Sequence, residues 1–244
     1  MKIGIVSNAR TGASMIGSLF AHKYNLTDYS ELFSSGPIEG TTEEKLAMLR
    51  ENDDYSVKIT STTFLTNADH FDYTTFPWQV FDRIILVERA NVAAHASSWL
   101  LLSHAQRTGL SENAEIAAYL NIQLQTPEIL PVNRGELQYI VKTSMLYSEC
   151  VKPYLLQSNL PVSIVDHELI QTSPTEYLES LNQQLGIELV LEDVATFART
   201  NYIDYSPYIT AHNLTAVIEE IQHEIINAAK ETGDTRPTEG EGSI

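Results

Sequence analysis

Residues 1–20 read MKIGIVSNARTGASMIGSLF, and the predicted fold starts from this stretch. The apolar run from Lys2 to Val6 stops at Ser7-Asn8, which is typical of a short buried strand. Gly12 then allows the backbone to turn tightly. The apolar residues that follow recur at the spacing of one helix face: Met15, Ile16, Leu19 and Phe20. The chain therefore opens with a strand, a glycine turn and a helix.

The same alternation continues along the chain. Apolar runs predict further strands over residues 55–59, 83–88 and 161–165. Helical patterns cover residues 41–50, 91–103, 111–125, 134–157 and a segment that starts at Ser173. A last helix carries an apolar stripe formed by Val217, Ile218, Ile221, Ile225 and Ile226. Short strands that alternate with helices predict an α/β fold with a parallel sheet covered on both faces.

Two of these helices begin with the spacing of a capping box, at Thr41/Glu44 and at Ser173/Glu176. We predict a single domain over residues 1–230. Residues 231–244 are rich in Gly, Thr and Glu, which predicts a disordered tail.

Charge and composition narrow the possible partners. The 244 residues carry a formal net charge of −17, which repels nucleic acid and anionic membranes, so we expect neither as a partner. Cys150 is the only cysteine, which excludes an internal disulfide and fits a reducing compartment. The apolar run at the start is too short for a signal peptide or a membrane span, so we expect a cytoplasmic protein.

The segment Ala9-Arg10-Thr11-Gly12-Ala13-Ser14 combines several features of an anion site. Gly12 permits close approach of the backbone to a ligand, and the following helix start offers unpaired N–H groups. Arg10 adds a charge, while Thr11 and Ser14 add hydroxyl groups. The Walker pattern GxxxxGK[ST] is absent. The segment is either a phosphate or sulfate cradle or an ordinary strand-to-helix turn with a surface arginine.

A second basic segment follows the strand at 83–88. Arg89 comes directly after it, and Ser97 lies eight residues on, roughly two turns into the next helix. The two side chains can hold one anion, or they are an arginine at a strand end and a small residue on a packed helix. The seven histidines show no metal-ligand spacing, so we expect no metal site.

Together, these segments resemble PAPS-dependent sulfotransferases, which use 3′-phosphoadenosine 5′-phosphosulfate. Residues 7–14 are similar to the family's 5′-phosphosulfate loop, and residues 81–98, FDRIILVERANVAAHASS, to its 3′-phosphate segment. The resemblance implies that Arg10, Thr11, Gly12, Ala13 and Ser14 bind the phosphosulfate, and that Arg89 and Ser97 bind the 3′-phosphate.

Within the family, the motifs look most like bacterial enzymes of the trehalose sulfotransferase type. Tyr29-Ser30-Glu31-Leu32-Phe33 resembles their Pro-x-Glu-Phe-Phe segment, which implies that Glu31 is the general base. Many family members have Lys-Thr-His on the next strand with His as the base. Here Lys58 is present but residues 60–63 read Thr-Ser-Thr-Thr, so Glu31 is the better candidate and Lys58 is expected near the transferring group.

The resemblance implies a P-loop-like three-layer α/β fold and in-line sulfuryl transfer from PAPS to a hydroxyl or amine. PAP (adenosine 3′,5′-bisphosphate) is the product, no metal is needed, and Arg10 stabilises the developing charge. The net charge favours a neutral or cationic small acceptor. Two alternatives remain. One is a P-loop-type nucleotide or small-molecule kinase, although Glu88-Arg89 stands where a magnesium-holding Asp is expected. The other is an inactive nucleotide-binding protein of the same fold.

Overall fold

The computed structural model describes residues 1–9, 11–33, 40–66, 72–169, 173–190 and 203–232. The strands are β1 (Lys2–Ser7), β2 (Thr27–Asp28), β3 (Tyr55–Thr60), β4 (Arg83–Glu88) and β5 (Val162–Asp166). The helices are α1 (Ala13–Tyr24), α2 (Thr42–Arg50), α3 (Ser61–Thr66), α4 (Val92–Arg107), α5 (Asn113–Gln123), α6 (Arg134–Met145), α7 (Lys152–Gln157), α8 (Pro174–Leu185), α9 (Ser206–Ala211) and α10 (Leu214–Thr232). Short 3₁₀ turns lie at Trp78–Val80 and Pro127–Ile129, and a π-helical turn at Leu146–Val151 joins α6 to α7.

The chain divides into two compact units. The first, the sheet unit, comprises Met1–Ala90 and Tyr147–Ala198, and the second, the helical unit, comprises Asn91–Leu146 and Arg199–Ile244. The prediction of one domain over residues 1–230 stays a prediction. Glu231 and Thr232 still belong to α10, and the rest of the predicted tail lies outside the described residues.

The sheet unit is built on five parallel strands in the order β2-β3-β1-β4-β5. The α/β class and the parallel sheet flanked by helices are therefore confirmed. The central strands are apolar on both faces because both faces are covered: Ile5, Val6 and Ile85 are all 0 % exposed. On one face, Ile5 and Val87 belong to a core shared with α1 and α8.

Local sequence signals explain most helix starts in this unit. At α2 the predicted capping box is present, since Thr41 and Glu44 bond each other's backbone N–H groups. At α8 the predicted capping box is wrong. Pro174 does open the helix, but Ser173 makes no side-chain capping bond, since its backbone (φ −148°, ψ 70°) departs from the extended conformation usual at an N-cap.

The helical unit packs α4, α5, α6, α9 and α10 around one apolar core. Leu101, Leu137 and Ile221 are each at most 1 % exposed in it. The predicted stripe on α10 lies largely in this core, although Ile226 is 38 % exposed at the edge of the stripe. No helix in the described part of the chain combines the length and the apolar character needed to cross a bilayer.

Candidate functional site

The parallel strands of the sheet unit bring the predicted site segments to one edge. Ser7 at the end of β1 pairs with Thr60 of β3 and with Val87 of β4, and Glu88 pairs with Asp166 of β5. The loop after β1, the start of α3 and Arg89 all follow these strand ends. This is the edge where ligands bind in open α/β sheets.

The turn between β1 and α1 has the backbone of an anion cradle. Gly12 is left-handed (φ 81°, ψ 6°), directly precedes the helical Ala13, and has no side chain with which to cap the helix start. A left-handed residue next to a right-handed one turns successive N–H groups towards a common point, which binds anions. The N–H groups of Met15 and Ile16 are used by the Gly12 carbonyl. Among the described residues, nothing accepts from the N–H groups of Gly12, Ala13 and Ser14. Arg10 lies outside the described residues.

The side chains of this loop are held by internal hydrogen bonds. Thr11 is 1 % exposed and its hydroxyl donates to the Asn8 carbonyl at 2.9 Å. The Asn8 side-chain oxygen accepts from the Ser61 hydroxyl at 2.5 Å. Thr11 therefore shapes the loop through its hydroxyl, and its predicted contact with a ligand stays a prediction.

Lys58 joins the loop to Glu31. Its ammonium donates to the Ser14 hydroxyl at 2.7 Å and forms an ion pair with the Glu31 carboxylate. The Lys58 side chain is 13 % exposed and that of Glu31 is 40 % exposed, so the pair lies at the surface of the sheet edge. An ammonium carries three donors, and no described residue takes the third one from Lys58.

Pairing along β3 explains why Glu31 reaches Lys58. β2 is exposed and only two residues long, but the chain continues beside β3: Tyr29 N–H donates to the Ser56 carbonyl, and Lys58 N–H donates to the Ser30 carbonyl at 2.7 Å. Ser30 is left-handed (φ 47°), and its N–H donates to the Asp28 carboxylate. This turn places Glu31 next to Lys58.

The two residues predicted for a 3′-phosphate fall in different units. Arg89 is half-buried and directly follows β4 in the sheet unit. Ser97 lies on α4 in the helical unit, is fully buried, and its hydroxyl donates to the Ala93 carbonyl at 2.7 Å. Their joint role stays a prediction, and it requires the Ser97 hydroxyl to leave Ala93.

No protein-family model matches the chain, and no curated protein matches it. Among solved structures it is similar to the crystal structure of mouse sulfotransferase SULT7A1 complexed with PAP. The identity is 17 %, the TM-score is 0.41, and the match covers 84 % of this chain and 64 % of that one. So low a TM-score says nothing of what this chain binds or does.

His167 is a residue of this edge that the sequence did not single out. It follows β5, and its backbone N–H donates to the Glu88 carbonyl at 2.9 Å. Its ring lies against Gly12, where a Cβ atom would come within 2.4 Å of the imidazole Nδ1. Gly12 is thus required both by its backbone conformation and by the space that His167 takes. A Val-Asp-His-Glu-Leu segment carries no spacing signal that would reveal this contact.

Tyr147, on the π-helical turn, contacts the ends of both β1 and β4 through its hydroxyl. Tyr147 is 5 % exposed, and its hydroxyl donates to the Val87 carbonyl at 3.2 Å and lies 3.5 Å from the Val6 carbonyl. Burial, and then the nearby Glu88 carboxylate, raise the pKa of Tyr147, so the phenol stays a protonated donor. π-Helical turns occur often at functional sites, and this one braces the strands that lead to the loop and to Arg89.

Within the described part of the chain, no metal-binding group is present, and one cavity lies away from the candidate edge. Within the described residues no group of three or more His, Cys, Asp or Glu side chains could hold a metal ion. A cavity of about 760 Å³ lies at the opposite, amino-terminal edge of the sheet, where Phe20, Lys23, Arg83 and Leu185 are among its lining. None of the predicted site residues that the structure describes lines that cavity.

Proposed function

We propose that this chain is a sulfotransferase that moves a sulfuryl group from PAPS to an acceptor hydroxyl or amine. One observation carries the proposal. Lys58 bonds Ser14 of the predicted phosphosulfate loop and pairs with Glu31, the predicted base. Residues far apart in sequence, each proposed for the same transfer, thus meet at the carboxyl edge of a parallel sheet.

In this proposal the loop between β1 and α1 binds one end of the sulfuryl donor PAPS, and two further residues bind its 3′-phosphate. The N–H groups of Gly12, Ala13 and Ser14 donate to the 5′-phosphosulfate, which lies at the positive end of the α1 dipole. Arg10 and Thr11 complete the loop. Arg89 and Ser97 hold the 3′-phosphate. The convergent backbone around Gly12 supports the first part.

The transfer itself needs a base and a stabilised leaving group. Glu31 takes the proton from the acceptor as its oxygen or nitrogen forms a bond to sulfur. The bond between sulfur and the bridging oxygen breaks, and its electron pair stays on that oxygen as PAP leaves. The third N–H of Lys58, together with Arg10, stabilises this charge, and the proton on Glu31 then passes to water.

The ion pair supports the base role of Glu31. The ion pair holds the Glu31 carboxylate beside Lys58, at the edge where the acceptor binds in this proposal. Binding of an anionic sulfuryl group near Lys58 would draw the ammonium away from Glu31. Lys58 thus links the proposed base to the sulfuryl group.

The proposal extends to partners and surroundings. The net charge of −17 favours a neutral or cationic small acceptor over a polyanionic one, and disfavours nucleic acids and anionic membranes as partners. No metal takes part in the proposed step. Because Cys150 is the only cysteine, a cytoplasmic location fits the proposal.

Nucleotide binding tests the donor and separates the proposal from a kinase. PAP at a hundredfold excess over its Kd should stabilise the fold by about 2.7 kcal/mol, seen as a rise in melting temperature. A shift with ATP and Mg²⁺ but none with PAP would make the chain a kinase-type protein. Binding of PAP with no turnover of labelled PAPS, over a panel of alcohols, sugars and amines, would leave a nucleotide-binding protein without the transfer.

Glu31→Gln tests the base once an acceptor is found. Gln keeps the shape and removes the proton acceptor, so PAP binding should stay nearly unchanged while kcat falls about 10²- to 10⁴-fold. Glu43→Gln, on the exposed side of α2, is the matched control for the loss of one charge. A Glu31→Gln enzyme as fast as Glu43→Gln would remove Glu31 from the mechanism.

A further inference from the structure

Asn8, between β1 and the loop, is held at both of its oxygens. Its backbone carbonyl accepts from the Thr11 hydroxyl at 2.9 Å, and its side-chain Oδ1 accepts from the Ser61 hydroxyl at 2.5 Å. Thr11 and Ser61 are at most 1 % exposed, so both donors are fixed by packing. The Asn8 side chain therefore has one defined orientation.

This orientation leaves the side-chain NH₂ group of Asn8 without an acceptor in the described part of the chain. An amide carries two N–H donors on the atom opposite Oδ1. No described residue accepts from the Asn8 Nδ2, and that atom is not among the buried polar atoms that lack a partner. Asn8 is half-buried, so its NH₂ group is accessible from solvent. Asn8 thus presents an oriented and accessible amide donor between the end of β1 and the loop.

The strand order indicates which part of a donor nucleotide this NH₂ group faces. In the sheet, β1 lies between β3 and β4. Asn8 leans on Ser61, directly after β3, and β3 carries Lys58 with its partner Glu31. Arg89, proposed for the 3′-phosphate, follows β4 on the other side. Asn8 therefore lies on the side of the loop where the sulfuryl group transfers.

We infer that the Asn8 side-chain amide donates a hydrogen bond to a sulfuryl oxygen of PAPS, and that Ser61 is the positioning residue that turns the amide towards it. This inference rests on the proposed function. An NH₂ group can donate to a deprotonated sulfuryl oxygen but accepts nothing, so it favours an anionic group at this position. Asn8 thereby adds a neutral donor to the positive charges of Arg10 and Lys58.

The test compares the binding of PAPS with that of PAP, which lacks the sulfuryl group, and it needs no acceptor. Asn8→Asp keeps an oxygen for Ser61 and replaces the NH₂ group with a second carboxylate oxygen. Loss of a hydrogen bond to a charged group weakens binding about 10- to 150-fold, and the carboxylate adds repulsion. By calorimetry, the Kd of PAPS should rise at least that much and more than the Kd of PAP, because the 5′-phosphate of PAP meets the added charge but PAP has no sulfuryl oxygen to lose a bond.

Further variants keep the test valid. Asn25→Asp adds the same charge at the far end of α1, about 18 Å from the loop, and should affect neither Kd. Asn8→Ala should weaken PAPS about 10- to 150-fold without the added repulsion, so it decides the matter if Asn8→Asp does not fold. Ser61→Ala should lower the preference for PAPS over PAP by a smaller factor. If the contact between Ser61 and Asn8 were purely structural, its loss would leave that preference unchanged.

The outcomes separate this inference from the proposed function. Wild-type protein that binds both nucleotides, with equal losses for PAPS and PAP in Asn8→Asp, would overturn the sulfuryl contact and leave the sulfotransferase proposal standing. No loss in either Asn8 variant would do the same. Wild-type protein that binds neither PAPS nor PAP would overturn the proposed function, and the role of Asn8 with it.

Discussion

Gly12→Ala probes the packing on which the candidate site depends. Gly12 has φ 81°, and an added Cβ would lie 2.4 Å from Nδ1 and 2.6 Å from Cε1 of His167. The left-handed backbone costs an alanine roughly 1–2 kcal/mol. Overpacking against the ring adds roughly 1–3 kcal/mol, because the His167 backbone is anchored to the Glu88 carbonyl.

The expected loss for Gly12→Ala is therefore about 2–5 kcal/mol in the free energy of unfolding. For a chain of this size, the melting temperature should fall by about 4–20 °C, measured by circular dichroism. Gly186→Ala is the matched control, since Gly186 also has a positive φ (63°) but no atom of the described residues lies within 4 Å of an added Cβ. It should lose only the backbone part, about 1–2 kcal/mol.

A double-mutant cycle isolates the contact with the ring. In a His167→Ala background the ring is gone, so Gly12→Ala should cost about as much as Gly186→Ala. The difference between the two backgrounds measures the steric part. If Gly12→Ala costs no more than Gly186→Ala in the wild-type background, the loop moves freely past His167 and the reasoning is refuted.

Two further predictions concern stability away from the site. The backbone N–H of Thr41, and then its hydroxyl, donate to the Glu44 carboxylate and hold the pKa of that carboxyl below the ordinary 4.5. These bonds stabilise the protein above pH 4.5, and the stabilisation is lost as the pH falls through the lowered pKa. Glu44→Gln should therefore flatten the fall in melting temperature over that pH range, and an unchanged pH profile would contradict the prediction. Ile221→Ala, at a fully buried position of α10, should lower the free energy of unfolding by about 2–5 kcal/mol, measured by denaturant unfolding. Ile226→Ala is the control on the same helix; because Ile226 is 38 % exposed, this variant should lose clearly less. Equal losses would show that α10 does not pack as described.

Local patterns in the sequence were sufficient for the frame of the sheet unit. The strand predicted over residues 83–88 is β4 with the same bounds, and the strand, glycine turn and helix at the start are β1, Gly12 and α1. These elements are set by neighbouring residues: a continuous apolar run, a position that needs a positive φ, and a helical period. The capping box at α2 is local in the same way.

Elements that depend on distant partners were beyond such patterns. β2 is two exposed residues long and exists only through its pairing with β3, so no apolar run announces it. The single helix expected over residues 134–157 is broken by the π-helical turn at Leu146–Val151, which brings the Tyr147 phenol to the carbonyls of β1 and β4.

The sequence by itself determined the fold class, the glycine turn and the kinds of residue at the candidate site, because these follow from periodicity, backbone conformation and side-chain chemistry. The tertiary structure alone decided which of them meet. Lys58 reaches Glu31 through the pairing of residues 27–30 with β3, and the Asn8 amide is oriented by Ser61. His167 reaches Gly12 from the end of β5. Such contacts join positions tens to more than a hundred residues apart, and only the register of neighbouring strands sets them.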